Sequence, residues 1–160
     1  METDILSLQG RTASLDEVFK MQDIIFACGE PEEMPLRHFF SPGLYLREIT
    51  MRADLLVVGK MHATTHFNII TKGDVTVLTD NGPLRITITD HPYVFVSQAG
   101  TKKVLYCHED TVWMTTHITD STDLAEIERQ VIIPEEALRD ESGKILLDDD
   151  SLKALLGDKL

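Results

Sequence analysis

Between Leu44 and His117 the apolar residues alternate with polar ones in short runs, and turn-forming residues separate the runs. The runs are Leu44–Thr50, Leu55–Val58, Phe67–Thr71, Asp74–Thr79, Leu84–Thr89, Tyr93–Val96, Val104–Cys107 and Val112–His117. A period of two puts alternate side chains on opposite faces, which is the signature of half-buried strands. Asp80-Asn81-Gly82 supplies the positive φ angles of a tight hairpin between the fourth and fifth runs. Eight short strands at this spacing predict an antiparallel sandwich or barrel.

The period changes to helical on both sides. Ser14 and Glu17 form a capping box, and Leu15, Val18, Phe19, Ile25 and Phe26 follow at helical spacing, with Gly29 suited to the C′ position and Pro31 beyond it. This predicts a helix over 15–27. A second helix is expected after Ser121 or Thr122, with Leu124, Ile127 and Val131 on one face and Pro134 as its stop. The chain thus divides into a helical arm (1–35), a β-barrel (36–119) and a C-terminal helix with an acidic tail (120–160). The tail carries the apolar segment Ile145-Leu146-Leu147, read as an exchanged strand or a docking segment, and a short helix at Ser151–Leu156. The run Asp148–Asp150 before it is read as solvated.

The formal charge is −12, from 27 acidic against 15 basic residues. Such a surface repels phosphate backbones and anionic lipid, so neither nucleic acid nor membrane is an expected partner. Two cysteines, Cys28 and Cys107, stand far apart without a CxxC pairing. A reducing, cytoplasmic setting is expected, in the host cytoplasm if the chain is phage-encoded. The N-terminus shows no secretory leader, and no run approaches the 18 apolar residues of a membrane span.

The chemistry concentrates between Gly59 and Gly73. Lys60, His62, His66 and Gly73 sit at a spacing that resembles the first motif of the cupin family, a His-x-His pair followed by a glutamate and then a glycine. With Gly73 as anchor, His66 matches the glutamate, His62 the second histidine and Lys60 the first. The second cupin motif, Pro-x-Gly-x-x-His and a later asparagine, is similar to Gln98-Ala99-Gly100-Thr101-Lys102-Lys103 and Cys107. There Gly100 is kept and Lys103 stands for the histidine. Pro42–Tyr45, His62–Asn68, Ala99–Lys103 and His108–Trp113 further resemble a group of small cupin-like proteins of bacteriophages and prophages. The resemblance spans Leu36 to Thr119. It implies a jelly-roll β-barrel with flanking helices and a phage or prophage origin, and it names no reaction.

If Lys60 and His62 share one strand they face the same side, the motif positions bring His66 and Lys103 to that interior, and His117 joins them from the final strand. His62, His66 and His117 are then candidate ligands for a divalent transition metal. Lysines at two ligand positions instead favour a small anionic molecule held by Lys60, His62, His66 and Lys103, with Trp113 as a stacking surface or a core residue. His38, His91 and His108 are read as structural, and Cys107 as an inert core thiol. No nucleophile elbow, phosphate loop or dinucleotide fingerprint occurs, so no catalytic residue is assigned. Three functions follow: an anion-binding module that sequesters a metabolite or nucleotide signal, a homo-oligomeric assembly protein using both arms, and a metal-dependent cupin enzyme. The first is preferred.

Overall fold

The computed structural model describes residues 14–79 and 82–145. The hairpin residues Asp80 and Asn81, the run Asp148–Asp150 and the helix expected at Ser151–Leu156 lie outside the described residues. In chain order the elements are α1 (Leu15–Cys28), β1 (Leu36–Ser41), β2 (Leu44–Met51), β3 (Leu56–Val58), β4 (His66–Lys72) and β5 (Asp74–Thr79). There follow β6 (Gly82–Thr87), β7 (Tyr93–Ser97), β8 (Val104–Cys107), β9 (Thr111–Ile118), α2 (Leu124–Val131) and a 3₁₀ turn (Glu135–Leu138).

The strands form two antiparallel sheets, ordered β1-β2-β9-β4-β7 and β3-β8-β5-β6. Without β1, the eight remaining strands have the order of a jelly roll, each consecutive strand changing sheet except the β5–β6 hairpin. Among the described residues no ladder joins the two sheets, so the expected barrel is a two-layer sandwich. β1 is an addition that the sequence pattern did not expose. Arg37 and His38 interrupt its apolar residues, and as an edge strand it is open to solvent along most of its length.

Alternation sorts the five-stranded sheet into an inner and an outer face. Inward residues pair across β2 and β9 as Tyr45 with His117, Arg47 with Thr115, Ile49 with Trp113 and Met51 with Thr111. On β4 the matching residues are His66, Asn68 and Ile70, of which Asn68 pairs with Thr115 and Ile70 with Trp113. The interior is therefore graded. At one end Met51, Ile70, Val75, Leu105, Cys107 and Trp113 make the apolar core. Asn68 bridges the middle, accepting from Trp113 Nε1 at 3.1 Å and donating to Ser97 Oγ at 2.9 Å. The other end carries the histidines.

The capping box at Ser14 and Glu17 forms as expected. Gly29 has φ 167°, which is extended backbone, so α1 ends without a left-handed cap. Val18 and Phe19 are buried, and α1 packs on the outside of the smaller sheet against Leu78, Val104, Met61 and Leu138. Lys102 Nζ fastens this contact, donating to Gly59 O at 3.0 Å and Glu135 Oε1 at 3.1 Å beneath the Phe19 ring. α2 is capped by Asp123 rather than Ser121 or Thr122, since the Asp123 carboxylate accepts Glu126 N at 2.8 Å. Ser121 instead donates to Glu126. No described helix is long and apolar enough to cross a membrane.

Gly73, between β4 and β5, has φ +117° and lies against Thr111. A Cβ there would stand 2.4 Å from Thr111 Oγ1 and 2.8 Å from Thr111 Cα. Gly73→Ala should therefore cost about 3–5 kcal/mol through combined overlap and backbone strain, read as a lowered urea midpoint. A loss below about 1 kcal/mol would show that the strands part easily at this bend.

Candidate functional site: a buried histidine cluster

His66 opens β4 and His117 nearly closes β9, both on inward positions. His62 arrives differently. β3 ends at Val58, and the chain then runs as irregular backbone to His66. Ala63 N donates to Val131 O at 2.8 Å, Ile133 N to Met61 O at 3.0 Å and Gly100 N to His62 O at 2.8 Å. The exit of α2 and the β7–β8 turn thus hold the His62 backbone in place.

The three rings make one cluster, with centroids 4.3 Å apart for His62–His66, 5.2 Å for His62–His117 and 5.0 Å for His66–His117. Each residue is at most 5% exposed. Both nitrogens of His62, Nε2 of His66 and Nδ1 of His117 are buried without a hydrogen-bond partner. An unpaired buried polar atom costs about 1–3 kcal/mol, so four together mark a place held for something other than stability.

His66 Nδ1 lies 2.9 Å from the Thr64 carbonyl, which can only accept. The proton therefore sits on Nδ1, and in the neutral ring Nε2 turns a bare lone pair into the cluster. Burial is the main reason that protonation is disfavoured. It holds His66 down to about 4 and His117 down to about 3. His62 lies lower still, depressed by burial and then by His66, Lys103 and His117. The rings are neutral at pH 7.

Two cations face the neutral rings. Lys103, just ahead of β8, acts on all three rings, whereas Lys102 points out to α1. Burial brings the Lys103 ammonium down to about 8, so it is still charged at pH 7. Arg47, on the inner face of β2, acts on the same three rings. Among the described residues neither Lys103 nor Arg47 has an acidic partner. Tyr45 completes the wall. Its ring stacks at 6.2 Å from His117, and its hydroxyl lies 2.7 Å from His38 Nδ1.

The structure brings together His62, His66, His117 and Lys103 of the expected site. Lys60 is elsewhere. With the strand ended at Val58 it no longer shares a face with His62, and it pairs on the surface with Glu128 of α2. Trp113 is a core residue, edge-on to Phe95 at 5.7 Å and hydrogen-bonded to Asn68. Arg47 was not expected; its parity with Tyr45 and Ile49 is the signal that finds it. Cys107 lies fully buried in the core, where burial pushes its thiol up.

Neutral imidazoles suit a transition metal. Yet among the described residues no three His, Cys, Asp or Glu side chains converge on one metal position. The charge balance is also unfavourable. Like charges about 5 Å apart repel by roughly 3 kcal/mol at an effective dielectric near 20. A divalent ion among these rings would meet like-charge repulsion from Lys103 and Arg47, with no carboxylate among the described residues acting on the rings to offset it. The donor set does not fit a resident divalent metal.

The molecule at this point is defined as a jelly-roll sandwich with an added edge strand and, inside one end, a cluster of neutral histidines beside two cations. No protein-family model and no curated protein matches the chain. Among solved structures it is similar to a cupin-2 domain containing protein from Shewanella frigidimarina, at 10% identity over 61% of this chain and 92% of that one, with a TM-score of 0.43. A cupin domain from Bordetella pertussis matches at 11% identity over 57% of this chain and 98% of that one, with a TM-score of 0.42. Salicylate 1,2-dioxygenase from Pseudaminobacter salicylatoxidans matches at 11% identity over 72% of this chain and 35% of that one, with a TM-score of 0.49. At such identities the likeness says nothing of ligand or reaction, and the strand order carries the fold assignment by itself.

Proposed function

We propose that this protein is a small-molecule-binding jelly roll whose histidine cluster takes a small anion. The observation that carries this reading is the pair of cations, Lys103 and Arg47, facing three neutral rings with no acidic partner among the described residues. Both cations are part-buried, and the partner that would balance them is negative. Both side chains suit a carboxylate or phosphate, Arg47 through two parallel donors and Lys103 as a point charge.

His62 is the ring to move on access, because neither of its nitrogens is tethered. The backbone that carries it borders an outside hollow of about 550 Å³ lined by Lys60, Met61, Glu128 and Ile132 among others. Sequestration of a metabolite or nucleotide signal is one use of such a site. The closed cluster favours the smaller molecule.

Isothermal titration of untagged protein with acetate, lactate, oxalate and phosphate, and separately with zinc, nickel, iron(II) and manganese, tests the reading. One-to-one binding of at least one anion is expected at pH 7. Its affinity should fall at least ten-fold by pH 9.5, because Lys103 loses its charge as pH rises through about 8. Stoichiometric uptake of a metal without any anion binding would overturn the proposal.

A further inference from the structure

We infer that the anion held here is a 2-hydroxycarboxylate, whose hydroxyl hydrogen is donated to His66 Nε2 while its carboxylate lies on Lys103 and Arg47. This deepens the anion-binding proposal and depends on it. The new observation is the direction of the His66 ring.

The Thr64 carbonyl, 2.9 Å from Nδ1, leaves no choice of tautomer: Nδ1 carries the hydrogen and Nε2 offers a lone pair. Nε2 is buried and unpartnered. A plain carboxylate brings only acceptors, so against Nε2 it would place lone pair against lone pair. Protonating His66 would relieve that, but His62, His117, Lys103 and Arg47 all crowd the ring, and none is negative. A ligand that brings its own O–H beside its negative charge satisfies both halves of the site without moving a proton. The remaining unpartnered nitrogens, on His62 and His117, can each donate or accept by choice of tautomer.

Two classes fit less well. A phosphate monoester is mainly a dianion at neutral pH and has no O–H to give. A dicarboxylate brings a second charge but again only acceptors. Every ring is at most 5% exposed, so a ligand reaches His66 Nε2 only when the untethered His62 ring moves aside. Discrimination of this kind is strong where a buried group would otherwise stay unpaired.

The experiment compares lactate, propionate and 2-methoxypropionate by titration calorimetry at pH 7, in two buffers of different ionisation enthalpy. Lactate should bind at least ten-fold tighter than propionate. The methyl ether keeps the oxygen but not its hydrogen, so it should bind no better than propionate. Lactate binding should take up no proton. In His66→Phe the lactate preference should shrink to within about two-fold while propionate binding persists. Equal binding of lactate and propionate, or uptake of about one proton per lactate, would overturn the inference and leave anion binding standing. Absence of binding by every anion would overturn both. The methyl ether comparison uses wild-type protein alone, so the test survives if the variant does not fold.

Discussion

Acidification from pH 7 to 5 should destabilise this protein by roughly 5–6 kcal/mol, well above the range where carboxylates titrate. A free histidine protonates near 6.5. In the folded state burial holds His66 down to about 4 and His117 down to about 3, with His62 lower again. Between those limits the unfolded chain binds protons that the folded chain refuses. The histidines' contribution to stability is therefore full above pH 6.5 and falls as pH drops toward the folded values. Each histidine contributes a slope of about 1.4 kcal/mol per pH unit, so three approach 4 kcal/mol per unit. Their protons add to the cluster as a unit, and the apparent values belong to all three rings. Between pH 7 and 5 the three rings together remove roughly 5–6 kcal/mol, enough to unfold a domain at the low end of the ordinary range of about 5–15 kcal/mol. Asp74, Glu48 and Glu135 are depressed carboxylates, held low by Arg85, by Arg37, and by Gln22 and Lys102 against the opposing effect of burial. Their stabilisation is lost only below about pH 4, outside this window. Urea titrations from pH 7.5 to 5 read the slope directly. His117→Gln should reduce it by roughly a third. A slope under 1 kcal/mol per unit would mean that the rings are wetter than their burial indicates.

Much of this arrangement was legible before any coordinates. Eight strands followed from alternation because each has a wet and a dry face, and Val104–Cys107 emerged with those bounds even though both of its faces are buried. β1 escaped because its residues do not sort into two faces. Motif spacing places His62, His66 and Lys103 in one pocket, and His117 joins from the final strand. Lys60 was misplaced for a physical reason: the period-two rule applies only where a strand continues, and β3 stops two residues before it. Arg47 was overlooked because a charged residue in an alternating strand reads as outward. The register that sets it opposite Thr115, between Tyr45 and Ile49, turns it inward instead. The histidine cluster also depends on α2, whose last turn holds the His62 backbone, a contact between distant segments that no local pattern encodes.

Lys103→Met should make the protein more stable and useless for anions, and this pair of opposite effects tests the site most severely. Lys103 is a part-buried cation facing neutral rings and Arg47, without an acidic partner among the described residues. Methionine keeps most of its volume and removes the charge. Replacing poorly compensated buried charge by apolar volume stabilises by about 1–3 kcal/mol in comparable settings. A charged hydrogen bond to a ligand contributes about 1.5–3 kcal/mol, so anion affinity should fall roughly ten- to hundred-fold. The pH dependence supplies a second check. The folded value of Lys103 is about 8 against an unfolded value near 10.4, so between them the unfolded chain holds more protons and stability rises with pH. Lys103→Met should abolish that rise. A variant less stable than wild type by more than about 1 kcal/mol, with anion binding intact, would make Lys103 a structural residue. The opposite pattern would mean that the fold tolerates an unfavourable charge because a ligand neutralises it.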